Sequence, residues 1–221
     1  MLHELGTHVG HALNFVKDNV DVNDSMFHFA AAFILFNPTY WNVVGRLEHK
    51  TKFMTKMFCG STIAANYFFA FTVFFLGIGR DYVYHLALAN QTSLDIPVDE
   101  LYIKVLGWSL YFVGLLFVGA SSYKLGIDGT YLGDYFGILK DEKLSGFPFN
   151  IVDHPMYVGS TLNFLAHAVL YKSVAGLVLT VFVYVVYMVY SVTLEGPFTC
   201  WVYAEKAKRD ALKDSAKPKK D

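Results

Sequence analysis

The sequence predicts an all-α polytopic membrane protein with four transmembrane helices and an N-terminal half-embedded or re-entrant helix. Of its 221 residues, 54% are hydrophobic and only 17% are charged, which is too apolar for an ordinary soluble domain. Four long stretches contain no Asp, Glu, Lys or Arg, and the basic residues are concentrated in alternate connecting segments. Together these observations indicate a chain that folds within a bilayer.

The four uncharged stretches are long enough to cross a bilayer. They cover residues 57–79, 105–123, 155–171 and 173–194. A helix needs about 20 apolar residues to cross about 30 Å of hydrocarbon, so each stretch predicts one transmembrane helix. Only Lys172 separates the last two stretches, which predicts a helical hairpin.

A fifth uncharged stretch, residues 25–45, contains Asn37, Pro38 and Asn42. A proline inside a helix removes one hydrogen-bond donor and clashes with the preceding turn. We therefore expect Pro38 to interrupt the helix. The segment is then half-embedded or re-entrant, with its irregular backbone covered by protein or facing water.

The basic residues predict the orientation of the chain. Most of them lie in residues 46–56, 124–154 and 206–221, whereas residues 80–104 contain two basic against four acidic side chains. Because basic loops remain on the cytosolic side of a membrane, we expect residues 46–56, 124–154 and 206–221 to be cytosolic, and with them the C-terminus. The chain then consists of an integral membrane domain, residues 1–205, and a basic cytosolic tail.

Charge and cysteine content argue against several classes of function. The formal net charge is −1, so the chain lacks the basic face that nucleic acid requires. Its two cysteines, Cys59 and Cys200, form neither a disulfide framework nor a metal-binding pattern. We expect no metal and no nucleic-acid partner, and look for function in sites at the membrane face.

The stretch from Leu125 to Ser160 predicts such a site. It is polar, and five glycines precede the Asp-His-Pro-Met-Tyr-Val-Gly-Ser segment that ends it and opens the third span. His154 and Tyr157 lie three residues apart on one helical face. Glu195 closes the fourth span, and an ionisable group at membrane depth is a functional candidate, although a solvated helix boundary is an open alternative. All of these residues are predicted on the cytosolic face.

Three segments carry a resemblance to a known family. In chain order they are FNPTYWNVVGRLEHKT, LGIDGTYLGDYFGILKDEKLSGFPFNIVDHPMYVGSTLNF and EGPFTCWVY. In this order they resemble the phospholipid N-methyltransferases, over roughly residues 33–205. The resemblance implies a phospholipid substrate, S-adenosylmethionine as the methyl donor and, in eukaryotes, the endoplasmic reticulum membrane. More distantly, the chain is similar to isoprenylcysteine carboxyl methyltransferases and membrane sterol reductases, and a non-catalytic lipid-binding protein is a further alternative.

The resemblance also implies positions for the donor site. The family assigns donor contacts to a Gly-x-Gly within one span and to a Glu-Glu pair after the last span. Here only Gly114 and Glu195 match those two motifs. The expected donor-binding residues are Phe112, Val113, Gly114, His154, Pro155, Tyr157, Gly159, Glu195 and Gly196.

Transfer of a methyl group to an amine suggests the remaining candidates. The amine must be neutral to attack, so a base is needed, and Glu195, His154 and Asp134 all remain candidates for it. Aromatic faces attract ammonium groups, and Arg binds phosphate oxygens in pairs. Interfacial anchoring is an open alternative for the tyrosines, and a topological role for the arginine. We expect the lipid to contact Tyr131, Tyr135, Asn37, Trp41 and Arg46.

Overall fold

The computed structural model describes residues 2–140 and 144–215, and within them it contains helices and one isolated β-bridge but no β-strand. The predicted all-α fold is confirmed. A 3₁₀ turn covers Gly133–Phe136, and a π-helical turn covers Ser191–Glu195. The α-helices are α1 (Leu2–Asn19), α2 (Ser25–Thr51), α3 (Phe53–Met57), α4 (Thr62–Asn90), α5 (Glu100–Thr130), α6 (Pro155–Leu170), α7 (Val174–Tyr190) and α8 (Gly196–Ser215).

Polar caps and one proline fix where the long helices begin. The side chains of Asp24, Ser61, Asp99 and Ser173 accept hydrogen bonds from backbone N–H groups in the first turns of α2, α4, α5 and α7. Such caps satisfy donors that have no partner within the helix. Pro155 occupies the first position of α6, where its missing N–H costs nothing.

Within the described part of the chain, three helical segments are long and apolar enough to cross a membrane: Thr62–Asn90, Glu100–Phe136 and Val174–Lys213. α6 is shorter, with 16 residues. Large apolar side chains on the long helices are exposed, which is the surface expected of helices that face lipid. They include Phe71, Phe75 and Ile78 on α4, Leu106, Phe112 and Leu116 on α5, and Val181, Val185 and Val189 on α7.

The predicted interruption at Pro38 is wrong, because α2 is continuous from Ser25 to Thr51. Polar side chains beside the proline bond carbonyl groups of the same stretch. Thr39 Oγ1 donates to the Leu35 carbonyl at 2.7 Å, and Asn42 Nδ2 donates to the Pro38 carbonyl at 3.0 Å. A helix embedded among neighbours tolerates a proline because packing and nearby polar side chains support its backbone.

One predicted helix boundary at a charged residue was also displaced. α4 continues past Arg80 to Asn90, because Arg80 is buried in the helical bundle rather than exposed at its end. α8 continues across residue 205 to Ser215, and the division between domain and tail at that residue stays a prediction. Residues 216–221, with the terminal lysines, lie outside the described residues.

The helices run between two ends of the bundle. At the α1 end, Asp21 and Gln91 bond each other, and Leu94 N–H donates to the Lys172 carbonyl at 2.9 Å. At the α8 end, Asn66 Nδ2 donates to the Tyr131 carbonyl at 2.8 Å. The basic segments 46–56 and 124–140, together with α8, therefore lie at one end, as the sequence predicted.

Glycines bring α5 and α6 into close contact. A Cβ atom added at Gly114 would lie 2.1 Å from Asn163 Oδ1 and 2.7 Å from the Gly159 carbonyl oxygen. A Cβ added at Gly107 would lie 2.5 Å from the Leu170 side chain. Small residues of this kind allow two helix backbones to approach closely. This contact fixes the position of the beginning of α6, which carries His154 and Tyr157.

Candidate active site

A cavity of about 500 Å³ opens at the α8 end of the bundle. This volume lies within the range of about 300 to 1,000 Å³ of small-molecule sites. Its lining combines polar and aromatic side chains with apolar ones. The polar lining includes Trp41, Thr130, Tyr131, Asp153, His154, Tyr157 and Glu195, and the apolar lining includes Phe69, Val73, Phe74, Val118, Leu125 and Phe149.

Glu195 is the most strongly bonded group in the cavity wall. Its Oε1 accepts hydrogen bonds from Trp41 Nε1 at 2.7 Å and from Asn42 Nδ2 at 2.9 Å. Its Oε2 accepts one from the Tyr157 hydroxyl at 2.6 Å. Three elements, α2, α6 and the π-helical turn, thus converge on one carboxylate. The result is an oriented negative charge at the edge of a cavity with aromatic walls.

The π-helical turn sets the direction of this carboxylate. π-helical turns are rare in proteins as a whole, but those that occur are often found at functional sites, because they displace side chains from the regular helical pattern. Arg46 Nη2 donates to the Leu194 carbonyl at 2.7 Å, and its guanidinium lies 5.1 Å from the centre of the Phe198 ring. Arg46 therefore supports the turn from outside the cavity. His49 packs against the same ring.

His154 lies at the start of α6 and contributes its ring to the cavity wall. Its two ring nitrogens lie 3.2 and 3.3 Å from Ser191 Oγ, so the first residue of the π-helical turn orients the imidazole. His154 and Glu195 line the same cavity and are held by the two ends of one turn. Among the side chains that the structure describes, no three from His, Cys, Asp or Glu are grouped as a metal site would require.

A buried cation lies behind the site. The Arg80 guanidinium donates to Asp81 Oδ1 and to the Tyr187 hydroxyl, and it lies 4.9 Å from the centre of the Phe164 ring. The Tyr187 ring in turn stacks on that of Tyr157, with centroids 4.6 Å apart. The rings therefore connect a charged residue deep in the bundle with the tyrosine that bonds Glu195.

The structure brings part of the predicted site together. Six of the predicted residues line the cavity: Trp41, Tyr131, His154, Pro155, Tyr157 and Glu195. They come from α2, the end of α5, the start of α6 and the π-helical turn, so the predicted convergence on one face is present. Their roles stay predictions.

The other predicted residues lie outside the cavity lining, and several have a visible packing role. Asn37 bonds the Leu76 carbonyl on α4, and Asp134 Oδ2 accepts from Thr199 Oγ1 at 2.7 Å. The Tyr135 ring stacks on Phe198. Phe112 and Val113 are exposed on α5. Arg46, Gly114 and Gly159 have the contacts described above, and Gly196 begins α8.

Three side chains that help to build this site were not predicted from the sequence. Asn42 was considered only as an interruption of a helix, and Arg80 only as the end of one. Glu48 is fully buried and accepts hydrogen bonds from the backbone of Met54 and Thr55, which fixes the turn into α3. Adjacency of Asn42 to Trp41 was a usable signal, whereas burial of Arg80 and Glu48 had no local signal.

Comparison with known proteins identifies the family. The family profile described as phospholipid methyltransferase matches residues 102–206. The chain is 46% identical to Phosphatidylethanolamine N-methyltransferase A of Dictyostelium discoideum, over 96% of this chain and 99% of that protein. It is 45% identical to Phosphatidyl-N-methylethanolamine N-methyltransferase of Neurospora crassa (91% and 93% covered) and 44% identical to Phosphatidylethanolamine N-methyltransferase of Homo sapiens (85% and 93%). No solved structure matches it. The chain therefore belongs to the phospholipid methyltransferase family.

Proposed function

We propose that this protein transfers methyl groups from S-adenosylmethionine to the amine of phosphatidylethanolamine derivatives, the mono- and dimethyl forms above all, to give phosphatidylcholine. One observation carries the proposal: an oriented carboxylate, Glu195, lines a cavity with both polar and apolar walls at the end of a membrane bundle. The names of its relatives, which specify these amine lipids, support the same substrates.

The residues of the cavity fit a cationic methyl donor. A sulfonium group is attracted both by a carboxylate and by the faces of aromatic rings. Glu195 supplies the carboxylate, and Trp41, Tyr131 and Tyr157 supply the rings. When bound, the donor supplies an electrophilic methyl group. The protein's part is to align donor and amine and to exclude water, and such alignment is worth roughly 7 to 11 kcal/mol of the barrier.

His154 is the best placed of the three candidate bases. The Glu195 oxygens already accept from three donors, so a proton there would compete with existing hydrogen bonds. Asp134 lies outside the cavity lining. The His154 imidazole faces the cavity beside Ser191 and can hold the proton that leaves the ammonium before attack. We therefore assign Glu195 to cation binding and His154 to proton removal.

We place the α8 end on the cytosolic side of the endoplasmic reticulum membrane, with α4, α5, α6 and α7 as four transmembrane helices. The basic segments at that end support this orientation. Because α2 is continuous and contacts both ends of the bundle, we propose that it is a fifth embedded helix rather than a re-entrant one.

Methyl transfer into lipid tests the proposal. Purified protein is incubated with radiolabelled S-adenosylmethionine and vesicles that contain unmethylated, mono- or dimethylated phosphatidylethanolamine. We expect chloroform-extractable label with the mono- and dimethyl lipids, and strongly reduced label in the Glu195→Gln variant. The absence of label with every ethanolamine lipid would contradict the function. In a parallel incubation with a prenylcysteine as the acceptor, label in its methyl ester would instead assign the chain to the carboxyl methyltransferases.

A further inference from the structure

The apolar lining of the cavity comes mainly from α4 and α5. Phe69 and Val73 are four residues apart on α4, and Val118 and Leu125 lie on one face of α5 together with Ser122. Residues of both helices therefore line one common space. Glu195 and His154 line the same cavity.

The two helices make few contacts with each other, because each packs on a different neighbour. α5 packs closely on α6 at its glycines, and α4 packs mainly on α2. At the α8 end the gap is closed by the hydrogen bond between Asn66 and the Tyr131 carbonyl. Farther along α4, Phe74 lines the cavity although 53% of its surface is exposed. The cavity therefore reaches the lipid-facing surface at this depth.

We propose that the phospholipid acceptor reaches the active site sideways between α4 and α5, and that its acyl chains lie against Val73, Phe74 and Val118 while its amine lies at Glu195. This inference rests on the proposed function. Acyl chains that move from the bilayer into an apolar gap remain in apolar surroundings throughout. The headgroup meanwhile stays at the α8 end, where polar side chains of the cavity replace its contacts with water.

The chain offers matched variants that test this route. Val73→Trp and Ser122→Phe add bulk inside the gap, one from each helix. Phe71→Trp and Tyr123→Trp add bulk on the outer surface of the same helices. The native Phe71 is 59% exposed and the native Tyr123 is 90% exposed. Each full-length variant is assayed with two acceptors, a long-chain phosphatidyl-N-methylethanolamine in vesicles and its water-soluble dibutanoyl analogue.

The measured quantity is kcat/KM for the long-chain acceptor divided by that for the short-chain one. We expect this ratio to fall at least about tenfold in each gap variant, because overfilled apolar sites exclude bulky groups. The outer-surface variants should keep the wild-type ratio. An unchanged ratio in both gap variants, including an equal loss with both acceptors, would overturn the route. Failure of the unmodified protein to methylate either acceptor would instead refute the proposed function.

Discussion

Replacement of Glu195 by glutamine separates the charge of this residue from its hydrogen bonds. Trp41 Nε1 and Asn42 Nδ2 can only donate, whereas the Tyr157 hydroxyl can also accept. A glutamine can therefore direct its carbonyl oxygen to the first two groups and its amide N–H to the tyrosine. All three contacts are preserved, and only the negative charge is lost.

The magnitude follows from the lost charge. A unit cation about 4 to 6 Å from a carboxylate interacts with it by about 3 to 4 kcal/mol at an effective dielectric constant near 20. Since about 1.4 kcal/mol corresponds to a factor of ten, we expect Glu195→Gln to lower kcat/KM for S-adenosylmethionine by about 10²- to 10³-fold. Its thermal unfolding temperature in detergent should remain close to that of the wild type.

Two further variants make the result decisive. Glu195→Ala leaves the Trp41 Nε1–H and one of the two Asn42 Nδ2–H groups without an acceptor, at a cost of about 1 to 3 kcal/mol each, so it should lower both activity and unfolding temperature. Glu205→Gln removes the same charge from a surface pair with Lys208 and should change neither. Wild-type kcat/KM in Glu195→Gln would refute the assignment of this carboxylate to cation binding.

Two other substitutions test the surroundings of the site. Gly114→Ala should destabilise the fold by about 1 to 3 kcal/mol, because the added Cβ would overlap α6. The control Gly119→Ala adds its Cβ in open space and should leave the stability unchanged. Equal thermal unfolding temperatures of the two variants would show that α5 and α6 separate freely. Tyr187→Phe removes the hydroxyl that bonds the buried Arg80 guanidinium and should lower the free energy of unfolding by about 1 to 3 kcal/mol. The measurement is thermal unfolding, with the lipid-facing variant Tyr184→Phe as the control. No difference between the two variants would contradict a structural role for this hydrogen bond.

Hydropathy predicted the helices well and their ends less well. The uncharged stretches correspond to α4, α5, α6 and α7, because a segment without charges in a chain this apolar has few alternatives to a buried or lipid-facing helix. The same rule failed at Arg80, where a charge is paired within the bundle, and at Pro38, where neighbouring polar groups support the backbone. Both failures depend on contacts with residues that hydropathy does not identify.

Site residues were predictable when their chemistry was unusual for their position. Glu195 and His154 stood out as polar groups at the ends of apolar spans, and both line the cavity. Gly114 stood out through the family motif, yet the structure shows it in the contact between α5 and α6. A glycine motif has the same letters whether it admits a ligand or another helix, so its sequence does not distinguish the two uses.

The sequence by itself determined that this chain forms apolar helices, which of their ends carry basic residues, and that a carboxylate and an imidazole stand at those ends. Only the tertiary structure decided that Trp41, Asn42 and Tyr157 orient that carboxylate, and that a gap remains between α4 and α5. The physical reason is range. Solvent preference is a property of each segment, whereas a hydrogen bond between residues more than 150 positions apart exists only after the helices have packed.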